Sequence, residues 1–110
     1  MSDLRNRRSV LGCLLALAGL SIARPAQAKT VTVEIRNMKF VPENIEIAAG
    51  DTITFVNVDL VPHTATAADK TFDTGTLRKD QRVDLAFPTA GDFAYVCRFH
   101  PHMKGRVTVR

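Results

Sequence analysis

From residue 31 onward, apolar and polar side chains alternate with a period of two, and this pattern limits the possible folds most strongly. Such runs cover residues 31–36, 44–47, 52–57, 82–87, 93–97 and 106–109. A period of two is the spacing of a β-strand that buries one face. Prolines and Gly-Asp pairs separate the runs, and no segment has the 3.6-residue period of an amphipathic helix. We therefore predict an all-β chain of about seven or eight short strands, folded as a β-sandwich.

A polar stretch at residues 67–79 interrupts this alternation. It contains Gly75 and no regular period, so we expect a loop there, with one short strand around Phe72. In a sandwich, residues far apart in sequence can meet where neighbouring strands end at one rim.

The first 28 residues have the features of an export signal. Three arginines precede an apolar run over residues 10–22, and Ala26-Gln27-Ala28 matches an A-x-A cleavage site. The run is shorter than the ~20 apolar residues that span a bilayer. We predict a cleaved signal at 1–28 and one periplasmic domain at 29–110, with no membrane anchor. Arg7 and Arg8 resemble a twin-arginine signal, and an ordinary secretory signal is the alternative.

One of the two cysteines would be lost with this signal. Cys13 lies in its apolar run, which leaves Cys97 in the mature chain without a disulfide partner in the same chain. A single thiol in an exported protein is a liability unless it is used, and metal ligation is one such use.

The charge distribution argues against a nucleic-acid partner. The formal net charge is +4, but four of the 15 Lys and Arg residues precede residue 29, against one acidic residue there. In the rest of the chain, basic and acidic residues alternate along predicted strands, as in Glu34/Arg36 and Arg82/Asp84. A nucleic-acid binder instead clusters its basic residues on one face.

Cys97, His100 and Met103 follow one another at intervals of three residues near the C-terminus, and His63 lies upstream after Pro62. A thiolate, two imidazoles and a thioether are the ligands of a blue-copper centre, in which a weak axial Met completes a trigonal His2Cys set. Soft sulfur ligands suit Cu(I), and imidazole suits both oxidation states. The sequence predicts a site for one copper ion that cycles between Cu(I) and Cu(II).

Each ligand has a simpler structural explanation when it is taken alone. A free Cys or a Met is often part of the core, and a single His can be structural. Their joint occurrence in this order favours metal. Structural zinc has no use for Met103, and haem attachment needs a C-x-x-C-H motif. No helix N-terminus is predicted that could activate Cys97 as a nucleophile, so we expect no enzymatic activity.

From Met38 onward the chain resembles the cupredoxins, especially their small amicyanin- and plastocyanin-like members. The resemblance rests on Phe40-x-Pro42-x-x-Ile45-x-Ile47-x-x-Gly50-Asp51-x-Ile53-x-Phe55-x-Asn57, on Pro62-His63, and on Gly91-x-Phe93-x-Tyr95-x-Cys97-x-x-His100-Pro101-x-Met103-x-Gly105. It implies a Greek-key β-sandwich that holds copper through His63, Cys97, His100 and Met103 and shuttles single electrons. Three positions depart from the family pattern: Thr64, where Asn is frequent, Phe99, where amicyanin-like loops often have Pro, and His102, where an aromatic residue is common.

The resemblance also implies roles for residues around the metal. Asn57 would hydrogen-bond to the ligand loop and hold Cys97 and His63 in register, and His100 would present its imidazole edge as the electron port. Pro101 lacks an N–H and should stiffen the loop beside the thiolate. His102 is expected to face solvent or a partner.

Family analogy supplies the expected partners. They are redox proteins such as c-type cytochromes or a quinoprotein dehydrogenase, and the chain itself would be a monomer. A periplasmic copper-delivery protein, which would use the same ligands without redox traffic, is the alternative function.

Overall fold

The computed structural model describes residues 27–110. The predicted export signal, apart from Gln27 and Ala28, lies outside these residues, as does Cys13. Eight strands are present: β1 (Thr30–Arg36), β2 (Lys39–Val41), β3 (Asn44–Ile47), β4 (Asp51–Asn57), β5 (Thr66–Ala67), β6 (Arg82–Phe87), β7 (Gly91–Val96) and β8 (Lys104–Val109). The prediction of an all-β sandwich is confirmed. Within the described part of the chain, no helix is long and apolar enough to cross a membrane.

The eight strands form two four-stranded sheets. One has the order β2-β1-β4-β6 and the other β3-β8-β7-β5. The β1–β4 and β3–β8 pairs are parallel, and the other pairs are antiparallel. Consecutive strands lie in different sheets at every connection from β2 to β7, so most loops pass over an end of the sandwich. Residues from different loops therefore meet at these ends.

The period-two pattern accounts for the core between the sheets. One face of each strand supplies the buried apolar residues, which include Val33, Ile35, Phe40, Ile47, Ile53, Phe55, Phe87, Tyr95, Val107 and Val109. The central strand β4 differs, because Thr54 and Val56 on its second face are also buried. Thr54 Oγ1 donates a hydrogen bond of 2.6 Å to Asp84 of the neighbouring strand, which satisfies its hydroxyl there.

The expectation of a strand around Phe72 was wrong. The short strand of this region is β5, at Thr66–Ala67, and it pairs with β7. Phe72 belongs to no strand and packs between the sheets instead, with its ring centroid 5.1 Å from that of Phe87 and 5.7 Å from that of Tyr95. A single apolar residue in a polar stretch shows no periodicity. The sequence pattern therefore could not distinguish a loop residue that packs into the core from a residue in a strand.

Tyr95 is the largest fully buried side chain of the described residues, and its ring lies over Gly105 in the neighbouring strand β8. Its ring centroid is 4.7 Å from that of Phe40 and 5.7 Å from that of Phe55, both in edge-on arrangements. Its hydroxyl has no hydrogen-bond partner among residues 27–110. Burial raises the pKa of Tyr95, with a smaller contribution from the negative charge of Glu43.

Replacing Tyr95 with Phe is expected to leave the free energy of unfolding unchanged or to raise it by about 1 kcal/mol. The substitution keeps the packed ring and removes a buried hydroxyl that lacks a partner. Urea denaturation at neutral pH checks this result. A loss of more than about 1 kcal/mol would mean that the hydroxyl makes a stabilising hydrogen bond after all, for example to a buried water.

Candidate metal centre

The ligand loop, residues 97–103, connects β7 directly to β8. The pairing of Val96 with Lys104 fixes both of its ends. Within the loop, His100 N donates to Cys97 O at 3.2 Å, and Met103 N donates to His100 O at 2.9 Å. Cys97 N donates to Met103 O at 3.3 Å and closes the loop. Three backbone hydrogen bonds thus connect Cys97, His100 and Met103 at the positions that the three-residue spacing predicts.

His63 reaches the same end of the sandwich from the connection between β4 and β5. Its backbone forms a bridge with Leu77, with N···O distances of 3.1 and 2.8 Å in the two directions. The side chains of His63 and Cys97 are fully buried, and Met103 is 2% exposed. His100 is half-buried.

Three of the predicted ligand atoms converge on one point. Cys97 Sγ lies 3.7 Å from Nδ1 of His63 and 3.7 Å from Nδ1 of His100. The three donor atoms all lie within 4.8 Å of one another. Atoms bound to one ion at about 2.0 Å (N) and 2.3 Å (S), with a trigonal angle, are ~3.7 Å apart. The spacing fits a single ion held by a His2Cys set, and the thiolate, imidazole and thioether chemistry fits copper.

The backbone around Thr64 connects the two ligand segments. Thr64 N donates a hydrogen bond of 3.4 Å to Cys97 Sγ, and Arg98 N donates one of 2.9 Å to Thr64 Oγ1. Thr64 Oγ1 also lies 3.0 Å from Thr66 Oγ1, which donates to Asp73. Thr64 therefore couples the His63 segment to the cysteine, a role that the sequence analysis assigned to Asn57.

Asn57 supports only the His63 side of the centre. Its Nδ2 donates to Val61 O at 2.9 Å and to Leu77 O at 2.8 Å, and its Oδ1 accepts from Asp59 N at 2.9 Å. Among the described residues, its side chain makes no hydrogen bond to the ligand loop, so the predicted contact with that loop was wrong. The side chain is instead used to shape the turn that precedes His63 and to join it to Leu77.

Asp59 also contacts the candidate centre, and no feature of the sequence indicates it. Its Oδ2 lies 2.9 Å from His63 Nε2, on the side of the imidazole opposite Cys97. The same carboxylate accepts hydrogen bonds from the backbone N–H groups of Asn37 and Met38, at 2.7 and 2.9 Å. Both of these residues have positive φ angles, 54° and 63°, in the tight turn between β1 and β2.

The Asp59 contact determines which nitrogen of His63 is free. A proton on Nε2 donates to the carboxylate and leaves the lone pair of Nδ1 directed toward Cys97. Burial acts to raise the pKa of Asp59, but the hydrogen bonds from Met38, Asn37 and His63 outweigh it and hold the pKa below its ordinary value. The carboxylate therefore remains an ionised acceptor at neutral pH, and its stabilising contribution is lost only as the pH falls through this lowered pKa. An aspartate in a loop carries no period or motif that would have indicated this role.

Replacing Asp59 with Asn is expected to weaken copper binding by roughly 10- to 100-fold, because outer-shell partners of metal-bound histidines contribute at this level. Asp80→Asn is the matched control, since Asp80 lies on a neighbouring loop and its side chain is 73% exposed. A competition titration with a copper chelator measures both variants. Equal affinities for the two variants would show that Asp59 does not orient His63.

The remaining predicted residues lie around the rim of the centre. Pro101 is exposed in the turn of the ligand loop. His102 is exposed, with its ring centroid 6.3 Å from that of His100, and it lines a shallow cavity with Met38, Lys39, Glu43 and Lys104. Met38 is partly buried and packs against the core.

Comparison with known proteins agrees with this geometry. The model of the cupredoxin-like domain family matches residues 9–109. Amicyanin-alpha of Methylorubrum extorquens is 32% identical over 100 residues, which cover 86% of this chain and 84% of that protein. The purple cupredoxin of Nitrosopumilus maritimus has a TM-score of 0.68 at 30% identity, covering 73% of this chain and 99% of that one.

A copper-containing nitrite reductase of Thermus scotoductus is also similar, with a TM-score of 0.71 and 31% identity. The match covers 80% of this chain but 24% of the reductase, so the likeness extends over a minor part of that protein. The family model and the curated relative both span most of this chain, and the sandwich brings together the residues that carried the resemblance. The chain therefore belongs to the cupredoxin-like family, among its amicyanin- and plastocyanin-like members.

Proposed function

We propose that the protein is a periplasmic blue-copper carrier that transfers single electrons, with His63, Cys97, His100 and Met103 as the copper ligands. The main observation in support is that the buried Cys97 Sγ lies 3.7 Å from Nδ1 of His63 and 3.7 Å from Nδ1 of His100. The copper supplies the one-electron chemistry. Burial of the thiol and of His63 limits the access of water to the centre.

The protein frame supports rapid transfer because contacts with other protein groups hold the ligand residues in place. Backbone hydrogen bonds fix the ligand loop, and the Leu77 bridge together with Asp59 fixes His63. A frame of this kind leaves little room for the ligands to move when the oxidation state changes. The half-buried ring of His100 is the part of the ligand set nearest to solvent, so we assign it as the exit point for the electron.

A carrier, rather than an enzyme, is also the function that the ligand inventory supports. A copper reductase needs further metal ligands, and residues 27–110 contain one group of three or more His, Cys, Asp or Glu side chains with ligand atoms in reach of a common ion. His102 is the third histidine of the sequence, and it faces solvent. Redox proteins such as c-type cytochromes or a quinoprotein dehydrogenase are the partners that family analogy suggests.

Export and processing at residue 28 form part of the same proposal. Lys29 N donates a hydrogen bond of 2.9 Å to Asp51 Oδ1, and Ala48 N donates one of 2.9 Å to Asp51 Oδ2. Cleavage after Ala28 would turn this Lys29 nitrogen into an α-ammonium group beside a carboxylate, which strengthens the contact. The intact mass of the protein recovered from the periplasm tests the cleavage site, and a form that retains residues 1–28 would contradict it.

A visible spectrum and voltammetry of the copper-loaded protein test the function. We expect an intense absorption band that gives a blue colour in the Cu(II) form, together with a reversible one-electron wave. A protein that binds copper tightly but stays colourless, or that shows no reversible wave, would instead support the alternative of copper delivery.

A further inference from the structure

Four loops meet at the end of the sandwich that holds the candidate copper centre. They are residues 36–39, 58–63, 77–81 and 97–104, which include the strand-end residues Arg36, Lys39 and Lys104, and they are called the metal-end loops below. Asn37 and Met38 bind Asp59, His63 pairs with Leu77, and Cys97 Sγ faces His63, so contacts connect all four loops. Any redox partner that approaches His100 must come close to this set.

The metal-end loops carry most of the positive charge of the domain. They contain six Lys and Arg residues and two Asp residues, whereas the rest of residues 29–110 contains five basic and eight acidic residues. Their formal charge is therefore about +4, against about −3 for the remainder. Adding the charged residues that contact or adjoin these loops, namely Glu34, Glu43, Asp73 and Arg82, changes the two values to +2 and −1 and preserves their signs.

The metal-end loops also carry exposed apolar side chains. Leu60 is 84% exposed, Phe99 is 50% exposed and Val61 is 42% exposed. They are three of the four exposed large hydrophobic residues in the described part of the chain. Leu60 and Val61 precede His63 in its loop, and Phe99 is adjacent to His100. Exposed apolar residues together with polar or charged ones are the usual composition of a protein interface.

We propose that the metal-end loops form a docking surface for a redox protein with an acidic face around its own redox centre. This proposal rests on the proposed function and adds the charge class of the partner. The separation of charge orients the carrier in an encounter, so that its positive end, which bears His100, turns toward the acidic face. Leu60, Val61 and Phe99 then contribute the apolar contact at the centre of the short-lived complex.

Voltammetry of the copper-loaded protein on self-assembled monolayers tests this orientation, with carboxylate-ended chains standing in for the acidic face. The double variant Lys79→Gln/Lys104→Gln removes two positive charges from the metal-end loops. Lys29→Gln/Lys70→Gln is the matched control, because it makes the same change at exposed lysines outside these loops. Trimethylammonium-ended monolayers give the opposite surface charge.

We expect the unsubstituted protein to give an adsorbed redox wave on carboxylate that weakens with salt, and little or no wave on trimethylammonium. The double variant in the metal-end loops should adsorb to carboxylate roughly tenfold more weakly than the unsubstituted protein, at ~threefold for each exposed charge removed. Adsorption of the control double variant should fall much less. Equal losses in the two pairs, in a protein that remains blue and redox-active in solution, would overturn the docking proposal alone. A protein without a reversible copper centre would overturn the proposed function as well. Sedimentation with phosphatidylglycerol vesicles that depends on Lys79 and Lys104 would assign the surface to a membrane instead.

Discussion

Replacing Cys97 with Ser is expected to abolish the blue colour of the copper-loaded protein. The hydroxyl keeps the size of the side chain and can still accept the hydrogen bond from Thr64 N, so the fold should persist. The soft, negatively charged sulfur that defines the centre is lost. Copper affinity should fall by more than the roughly 100-fold that an outer-shell substitution costs. Visible spectroscopy and a chelator competition measure the two effects.

Met103→Leu is the matched control for this result. It conserves side-chain volume at a position that is 2% exposed, so packing should change little. The weak axial ligand tunes the reduction potential rather than creating the centre, and the variant should remain coloured with a shifted potential. If Cys97→Ser retained the band, or if both variants lost it with their folds intact by circular dichroism, the assignment of the ligands would be wrong.

Replacing Gly105 with Ala is expected to lower the free energy of unfolding by about 3 kcal/mol, at the upper end of the usual cost of overpacking. A Cβ atom at this position would overlap the ring and hydroxyl of Tyr95. The ring cannot move aside, because it is fully buried and packed against Phe40, Phe55 and Phe72. Gly105 also lies two residues beyond Met103, so a displaced Tyr95 would disturb the end of the ligand loop. Urea denaturation of the metal-free protein measures the loss.

Gly91→Ala is the control for Gly105, because both glycines lie on paired strands β7 and β8. A Cβ at Gly91 would come within 2.9 Å of Phe93 Cζ, but this ring is half-buried and has room to move. Its cost should stay below about 1 kcal/mol. Similar losses for both variants would show that the fixed ring of Tyr95 is not the reason for glycine at position 105.

The strands and most of the candidate metal ligands could be predicted from the sequence, because each produces a regular spacing of residues along the chain. The period of two follows directly from the geometry of a strand with one buried face, as Val33, Ile35 and Val107 show. The spacing of Cys97, His100 and Met103 is a property of one short loop. His63 was found because a His2Cys centre needs a second imidazole, and because Pro62-His63 matches a known family.

The residues that the sequence did not identify act through contacts between separate loops. Asp59 reaches His63 within its own loop, but the turn at Asn37 and Met38 holds its carboxylate in place. Thr64 is linked to Cys97, 33 residues away in the chain. Phe72 fills the core from a polar loop. No period or motif encodes these pairings, because they depend on which loop ends lie side by side.

The amino-acid sequence by itself thus determined the all-β architecture, the family and the donor atoms that suit copper, since these follow from local periodicity and side-chain chemistry. The tertiary structure decided how those donors are held: Thr64 on the sulfur of Cys97, Asp59 behind His63, and Asn57 on the His63 side alone. It also decided that four separate segments rich in basic residues are connected at the end of the sandwich that holds the candidate copper centre. Which groups form hydrogen bonds, and which charged residues are brought to the same end of the sandwich, depend on distances between separate loops. Those distances are fixed only when the two sheets pack together.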